Sequence, residues 1–458
     1  MSKLLMGNWG NERELEEANL TPDQLRHAGS QGQRMIWLAQ PGDVLVLPVE
    51  PDPEFLRYAT ALAGFAAESL EIVVPPPGRK GDVLTHDRMA DAEVVGDLRR
   101  IVLERGIDRV EPFYLDGAVT RLARRIGLDT GTPGFSFMDQ GGNDVLNSKV
   151  TFRALAAGTG VPVPEGVVTE SLDDAVEFLW DLLGAGRSAI AKQDVCSAGM
   201  GNEVLTPVTG IDIIGTRHHE VFTERAALAE HVAKRWSWYT GEQRRRAVFE
   251  EYIPGSASIW GEVAITDESV TIYGYGKVRM KPVCEGVVIP VPLPDTHAAV
   301  FRDFLAHLRA LAETIRAMGY RGLANIDAIL TPDGRVLFNE INARYGGSTH
   351  LFAIGERVIG GDYLTDRFVV EQRECAYPAF DAAWRELCAS GLAYNQATRT
   401  GVIIPVYGTN LTGTGGEACI VGADLDEAEQ MELALLTLFP GQASPAAREP
   451  HLNLVGHK

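Results

Sequence analysis

Little in this chain suits a membrane, a disulfide framework or a nucleic acid. No stretch of 18 uncharged apolar residues occurs, so no transmembrane helix is expected. The opening residues, MSKLLMGNWG, lack the apolar run of a secretion signal. Cysteine is scarce: Cys196, Cys284, Cys375, Cys388 and Cys419 are scattered, odd in number, and never two residues apart. That usage fits a reducing cytoplasm better than a disulfide scaffold or a zinc site. Basic residues are outnumbered, 42 Lys and Arg against 62 Asp and Glu, for a net charge of −20. Nucleic-acid binding needs a basic face to neutralise phosphates, so no such partner is expected, although a local basic pocket for a small anion remains compatible. Internal repeats and low-complexity tracts are absent too, which excludes solenoids.

What is present is ordinary in bulk: 45% hydrophobic and 23% charged residues over 458 positions. That length predicts two or three domains. In the first third, "KLLMG" (3–7), "DVLVLP" (43–48) and "LEIVVP" (70–75) read as buried strands ended by Gly or Pro. Helical spacing lies between and after them, at 53–69, 97–106 and 117–128. This alternation predicts a small parallel α/β domain, ending near residue 140 at the turn-rich "GTPGFSF". The middle region, 141–372, opens with a helix expected over 143–160, with Asn143 as its N-cap. Strands such as "RAVFEEYI", "SIWGEVAIT", "VTIYGYGKVRM" and "GVVIPVPL" follow, the last three antiparallel. A long helix (298–319) then precedes a hairpin, "LANIDAIL" and "RVLFNEIN", joined by "TPDGR". Residues 373–458 are expected to form a third segment with strands of its own.

The chemistry concentrates in "VLFNEINARYGGSTH" (336–350). Strand side chains alternate faces, so Glu340, Asn342 and Arg344 point the same way. The natural hairpin register brings Asp327 beside Glu340. Two carboxylates and an amide oxygen are hard ligands suited to Mg²⁺, which completes its shell with water and phosphate oxygens. The alternative is a solvated charged face, disfavoured because paired carboxylates repel without a cation between them. Phosphate also calls for cations. Lys192 ends the apolar strand "SAIA" and faces the glycine-bearing loop "CSAGMGN", in which Gly199 and Gly201 permit close backbone approach. Without such a context, Lys149 is a surface helix lysine and Lys192 an edge lysine. "FEEYI" (249–253) offers a backbone edge with apolar flanks for an adenine ring. Gly346 and Gly347 precede Ser348 and Thr349, either of which is an expected N-cap of a helix whose N-terminus would bind a substrate carboxylate. Lys277 and Arg279, alternating in "YGKVRM", are expected to face the same pocket, against the alternative of a polar strand face.

The ordered set, across residues 143–350, resembles the ATP-grasp superfamily of carboxylate–amine ligases. The matching parts are Lys149, Lys192, the loop Ser197–Asn202, the acidic hinge Glu250, Glu251, Tyr252, Ile253, a further acid Glu262, and Asp327 with Glu340, Asn342 and Arg344. More narrowly, "FNEINARYGGSTH" and "GNWGNE" are similar to pheganomycin-type peptide ligases. The resemblance implies an α/β pre-ATP-grasp domain, an ATP-grasp fold of two subdomains clasping ATP, and a C-terminal α/β extension. It implies that Lys149, Lys192, Ser197, Gly199 and Gly201 contact ATP phosphates, and that Glu250, Tyr252 and Ile253 hold adenine. Glu251 or Glu262 would bind ribose, and Asp327, Glu340 and Asn342 would bind Mg²⁺. Arg344 would stabilise the acyl phosphate and, with Lys192, serve catalysis. Because "FEEYI" doubles the acid, the hinge register stays open. The implied reaction joins a small-molecule carboxylate donor, such as a guanidino arylglycine, to a peptide amine in antibiotic biosynthesis; the expected assembly is a homodimer. An ATP-grasp carboxylase, a kinase acting on a hydroxyl, or a non-catalytic nucleotide sensor are the rival readings.

Overall fold

The computed structural model describes residues 2–10, 20–196, 199–241, 246–292 and 298–440. Among them the strands form three sheets. The first is parallel, in the order β3 (Glu71–Val73), β2 (Val44–Val46), β1 (Leu4–Met6), β4 (Val110–Pro112). Its helices are set by side-chain caps: Asp52, Asp91 and Asp116 each accept two backbone N–H bonds at the starts of Pro53–Leu62, Ala92–Arg105 and Gly117–Ile126. Gly106 and Gly127 end the second and third in the left-handed conformation.

The second sheet holds β5 (Gly166–Thr169), β9 (Ala247–Tyr252), β6 (Ser188–Lys192), β7 (Asn202–Thr206) and β8 (His218–Val221), in that order. Two helices, Leu172–Gly184 and Arg225–Thr240, cover one face through Leu179, Leu182, Leu228 and Val232. The opposite face carries Lys192 and Glu250 and looks onto the third sheet across a cavity.

That third sheet has eight strands: β14 (Val336–Asn342), β13 (Gly322–Leu330), β10 (Ala257–Ile265), β11 (Val270–Met280), β12 (Cys284–Ile289), β15 (Phe368–Cys375), β17 (Gly416–Gly422) and β16 (Gly401–Tyr407). The long helix Ala298–Met318 packs Phe304, Leu308, Leu311 and Ile315 against it. A boundary at 372/373 falls inside β15, so residues 373–440 do not build a separate sheet; they extend this one. Nor does the C-terminal part stand apart from the N-terminal domain. β16 lies at the sheet edge, where unpaired backbone groups need cover. Gln33 Nε2 donates to the Tyr407 carbonyl at 3.0 Å and Trp37 Nε1 to the Pro405 carbonyl at 2.8 Å. The Ile404 N–H donates to the Tyr58 hydroxyl at 3.2 Å. One apolar core accordingly runs from Leu5, Trp37 and Phe55 to Val402, Ile420 and Leu435.

The helix expected over 143–160 is two pieces. Asn143–Leu146 ends at Asn147, and a new helix starts at Lys149 with Ser148 as its cap, accepting the Thr151 N–H at 3.0 Å. Asn143 caps neither. The Ser148 hydroxyl and the Val150 N–H both donate to Asp194 Oδ1, at 2.6 and 3.0 Å. These bonds fix Lys149 as the first helical residue, buried and turned into the cavity instead of lying on an exposed face. Among the described residues no helix is long and apolar enough to cross a membrane.

Candidate active site

The cavity between the second and third sheets measures about 330 Å³. Its floor is the β13–β14 hairpin. Asn325 pairs with Asn342 and Asp327 with Glu340, and then the register shifts, because Asn339 is an extra residue on β14. Asn342 Nδ2 donates to Asp327 Oδ2 at 2.9 Å, and Arg344 Nη2 donates to Asn342 Oδ1 at 3.0 Å. One amide therefore ties the acid pair to the arginine. Arg344 Nη1 also donates to the Tyr345 carbonyl at 3.1 Å, and its guanidinium lies 4.9 Å from the Tyr114 ring centroid. The two acids titrate apart. Burial and the neighbouring Glu340 charge push Asp327 well above the usual carboxylate range. Burial would raise Glu340 too, but the Lys149 ammonium outweighs it and holds Glu340 at about 2. Two carboxylates this close, one pushed toward neutrality by burial and by the other's charge, form a donor set that fits a divalent cation.

Lys149 Nζ sits 2.7 Å from Glu340 Oε2 and donates to the Cys196 carbonyl at 2.8 Å. Lys192 Nζ lies 2.5 Å from Glu250 Oε2, and Arg153 Nη1 donates to Glu250 Oε1 at 2.5 Å. The Glu250 carboxylate is thus taken by two cations. Tyr252, Ile253, Glu251 and the apolar Ile190, Ile259, Val278, Met280 and Ile329 line the same end. Tyr252 ties this hinge to a neighbouring loop, its hydroxyl accepting the Ile214 N–H at 2.9 Å.

The glycine loop is the turn of the β6–β7 hairpin, closed by Gln193 N–H to the Gly201 carbonyl at 2.9 Å. Gly199 has φ +73°, and a Cβ there would stand 2.3 Å from the Gly215 carbonyl oxygen, so no other residue fits. Asn202 Nδ2 donates to that same oxygen at 3.2 Å. The Gly215 N–H donates to the Pro282 carbonyl at 2.7 Å, which bridges the two sheets over the cavity. Ser197 lies outside the described residues.

Several expected site residues fall elsewhere. Glu262 does not reach the hinge: it is fully buried under Gly346, where the Thr349 hydroxyl donates to it at 2.7 Å. Desolvation pushes it up to about 8. It is not placed to bind ribose, because β10 runs antiparallel to β13 and sets Glu262 opposite Asn325, at the Arg344 end. Lys277 and Arg279 point away from the cavity, since Val278 and Met280 on alternate positions of β11 are the residues that line it. Arg279 instead grips Glu432 on the C-terminal helix at 2.5 and 2.9 Å. The helix after the glycine pair has only six residues, Thr349–Ile354, and Ser348 makes no side-chain cap bond. Thr349 accepts the Gly346 N–H at 2.8 Å and is buried, as is Ser348. Gly346 and Gly347 do line the cavity, and a Cβ on Gly346 would stand 3.0 Å from the Asn325 amide.

Sequence reasoning missed Arg153, Arg34 and Arg373, all three near or in this cavity. Arg153 carried a signal, being one turn along the helix from Lys149 and on its face. Arg34 and Arg373 carried none, because their neighbours come from distant parts of the chain.

A Pre ATP-grasp domain family model matches residues 32–128, and a PGM1 C-terminal domain model matches residues 382–435. The L-propargylglycine--L-glutamate ligase of Streptantibioticus cattleyicolor is 24% identical over 364 residues, covering 73% of this chain and 71% of that protein. The [Butirosin acyl-carrier protein]--L-glutamate ligase of Niallia circulans is 23% identical over 357 residues, 76% of this chain and 73% of that one. Among solved structures, N5-carboxyaminoimidazole synthetase from Staphylococcus aureus complexed with ADP superposes with a TM-score of 0.54 at 12% identity. It covers 95% of this chain and 96% of that one.

Proposed function

Because the chain is an ATP-dependent carboxylate–amine ligase of the ATP-grasp superfamily, of the pheganomycin type, we propose that it activates an amino-acid-like donor as its acyl phosphate and passes the acyl group to the N-terminal amine of a peptide. The observation that carries this reading is one continuous ladder, Asp327–Glu340–Asn342–Arg344, facing Lys149 and Lys192 across a single cavity.

In this reading the apolar walls Ile190, Ile259, Met280 and Ile329 hold adenine beside the backbone of Tyr252 and Ile253. Lys192 exchanges Glu250 for phosphate oxygens, and Lys149 exchanges Glu340. Asp327, Glu340 and Asn342 would hold Mg²⁺, which would supply charge neutralisation. Arg344, fixed by Asn342 and the Tyr345 carbonyl, meets the charge that develops as the donor carboxylate takes the γ-phosphoryl group and again as the amine attacks. The amine's proton leaves, the acyl–oxygen bond breaks, and phosphate departs. The Gly199–Gly201 turn closes over the phosphates and keeps water from the acyl phosphate. The ribose contact passes from Glu262 to Glu251, which lines the hinge end.

The test is ADP and phosphate release over a panel of amino-acid donors, each with hydroxylamine and then with a short peptide. Hydroxamate formed in the first arm and amide in the second supports the reading. ADP without free phosphate would indicate a kinase, and bicarbonate-dependent release a carboxylase.

A further inference from the structure

Two arginines, Arg34 buried and Arg373 half-buried, share the far end of the cavity. Arg34 comes from the 3₁₀ stretch Gln31–Leu38 and Arg373 from β15. Each is anchored from behind by a carboxylate. Arg34 Nη2 donates to both oxygens of Glu417, at 2.7 and 2.9 Å. Arg373 Nε donates to Glu371 Oε2 at 3.0 Å. Their free ends converge on Gly347, where a Cβ would stand 3.4 Å from Arg34 Nη1 and 3.3 Å from Arg373 Nη2. Both residues line the cavity. Arg34 is only 3% exposed, and among the described residues its Nε has no partner.

His350, Glu371 and Glu417 bring ligand atoms within 4.8 Å of one another, a spacing that would suit a metal ion. The guanidinium of Arg34 already sits on Glu417, however, so this cluster is the backing of the arginines. His350 adds no compensating charge, because burial and the Arg34 cation keep it neutral. Both guanidiniums present a terminal nitrogen to Gly347, and planar forks match a carboxylate. The phosphates have their own cations, Lys149 and Lys192, at the other end.

We propose that Arg34 and Arg373 form a clamp for a substrate carboxylate that is not the one activated, either the C-terminus of the amine acceptor or a second carboxylate on the donor. The proposal rests on the ligase reading for the identity of that ligand as a substrate. Gly347 is the space the carboxylate enters.

The experiment is thermal-shift titration of the full chain, loaded with Mg²⁺ and a non-hydrolysable ATP analogue. The probes are the proteinogenic amino acids, Gly-Gly, and the α-amides of each. At least one free acid is expected to stabilise the protein, with its amide weaker by about tenfold or more in apparent affinity, the range for losing a charged hydrogen bond. Arg373→Ala, at a quarter-exposed side chain, and Gly347→Ala are expected to abolish that discrimination while the analogue still stabilises both variants. Response to dicarboxylic acids alone assigns the clamp to the donor; response to Gly-Gly assigns it to the acceptor. The clamp is overturned if no acid stabilises, if amides match their acids, or if Arg373→Ala keeps the wild-type preference. Amide formation is scored separately, so a protein that shows the preference but makes no amide loses the ligase reading and keeps the clamp.

Discussion

Asp327 and Glu340 stand side by side on adjacent strands, and their environment divides one charge between them. Lys149 stabilises the ionised Glu340, while Asp327, buried beside it, is pushed toward the protonated form. Glu340→Gln keeps the volume and removes the ligand that Lys149 holds in place. It is expected to lower Mg²⁺-dependent ADP release by at least about 10²-fold while the far-ultraviolet circular dichroism stays unchanged. Near-normal release at limiting Mg²⁺ would remove Glu340 from the metal set. Glu262 gives a prediction with a pH sign. Its ordinary value of 4.5 rises to about 8 on burial. Between those values the unfolded chain has lost the proton and the folded chain keeps it, so stability falls as pH rises, by about 1.4 kcal/mol per unit. Glu262→Gln can still accept the Thr349 hydroxyl and has no proton to lose. Urea unfolding across this window should show the downward slope in the native protein reduced in the variant by that increment, and parallel curves would refute the assignment.

At the scale of elements, strand parity decides what a residue does. Val278 and Met280 face the cavity; Lys277 and Arg279, one position off, do not. Arg279 spends both terminal nitrogens on Glu432 and one of them also on the Glu371 carbonyl, at 3.0 Å. It pins the helix Leu425–Leu438 to β11 and β15. Arg279→Ala is therefore expected to lower stability by about 1–3 kcal/mol, a value below that of a fully buried pair because the arginine is partly exposed. Calorimetry should show a lower Tm with the KM for ATP unchanged; a raised KM for substrate at normal Tm would return Arg279 to the pocket. The same rule of parity explains the hairpin floor. The extra residue Asn339 lies before Glu340, so the alternation from Glu340 to Arg344 is uninterrupted.

For the whole molecule, the N-terminal domain and the C-terminal strands are one body. Trp37, only 1% exposed, sits in their common core and donates to the Pro405 carbonyl on the edge strand. Trp37→Ala is expected to cost about 3–5 kcal/mol through the lost volume alone. Thermal unfolding followed by fluorescence should move as a single transition, and a second, unmoved transition would show that the two parts are independent. This docking also builds the site. It carries Arg34 and Tyr114 from the N-terminal domain to the cavity and sets them beside Gly347 and Arg344.

The sequence by itself determined the local pieces. The parallel sheet of the first domain, the antiparallel run β10–β12 and the Asp327–Glu340 register were legible, because each depends on apolar alternation or on a short turn between neighbouring segments. That Lys149, Lys192 and the Gly199 turn meet in one cavity was expected from the order of these pieces along the chain. Three things were decided only by the tertiary structure. The faces of Lys277, Arg279 and Glu262 depend on which side of a sheet meets the cavity, and alternation alone cannot choose between two sides. The start of the helix at Lys149 depends on Asp194, some 45 residues away, bonding Ser148. The union of Arg34 with Glu417, separated by 383 positions, depends on an edge strand that needed covering, and no local pattern encodes a partner that distant.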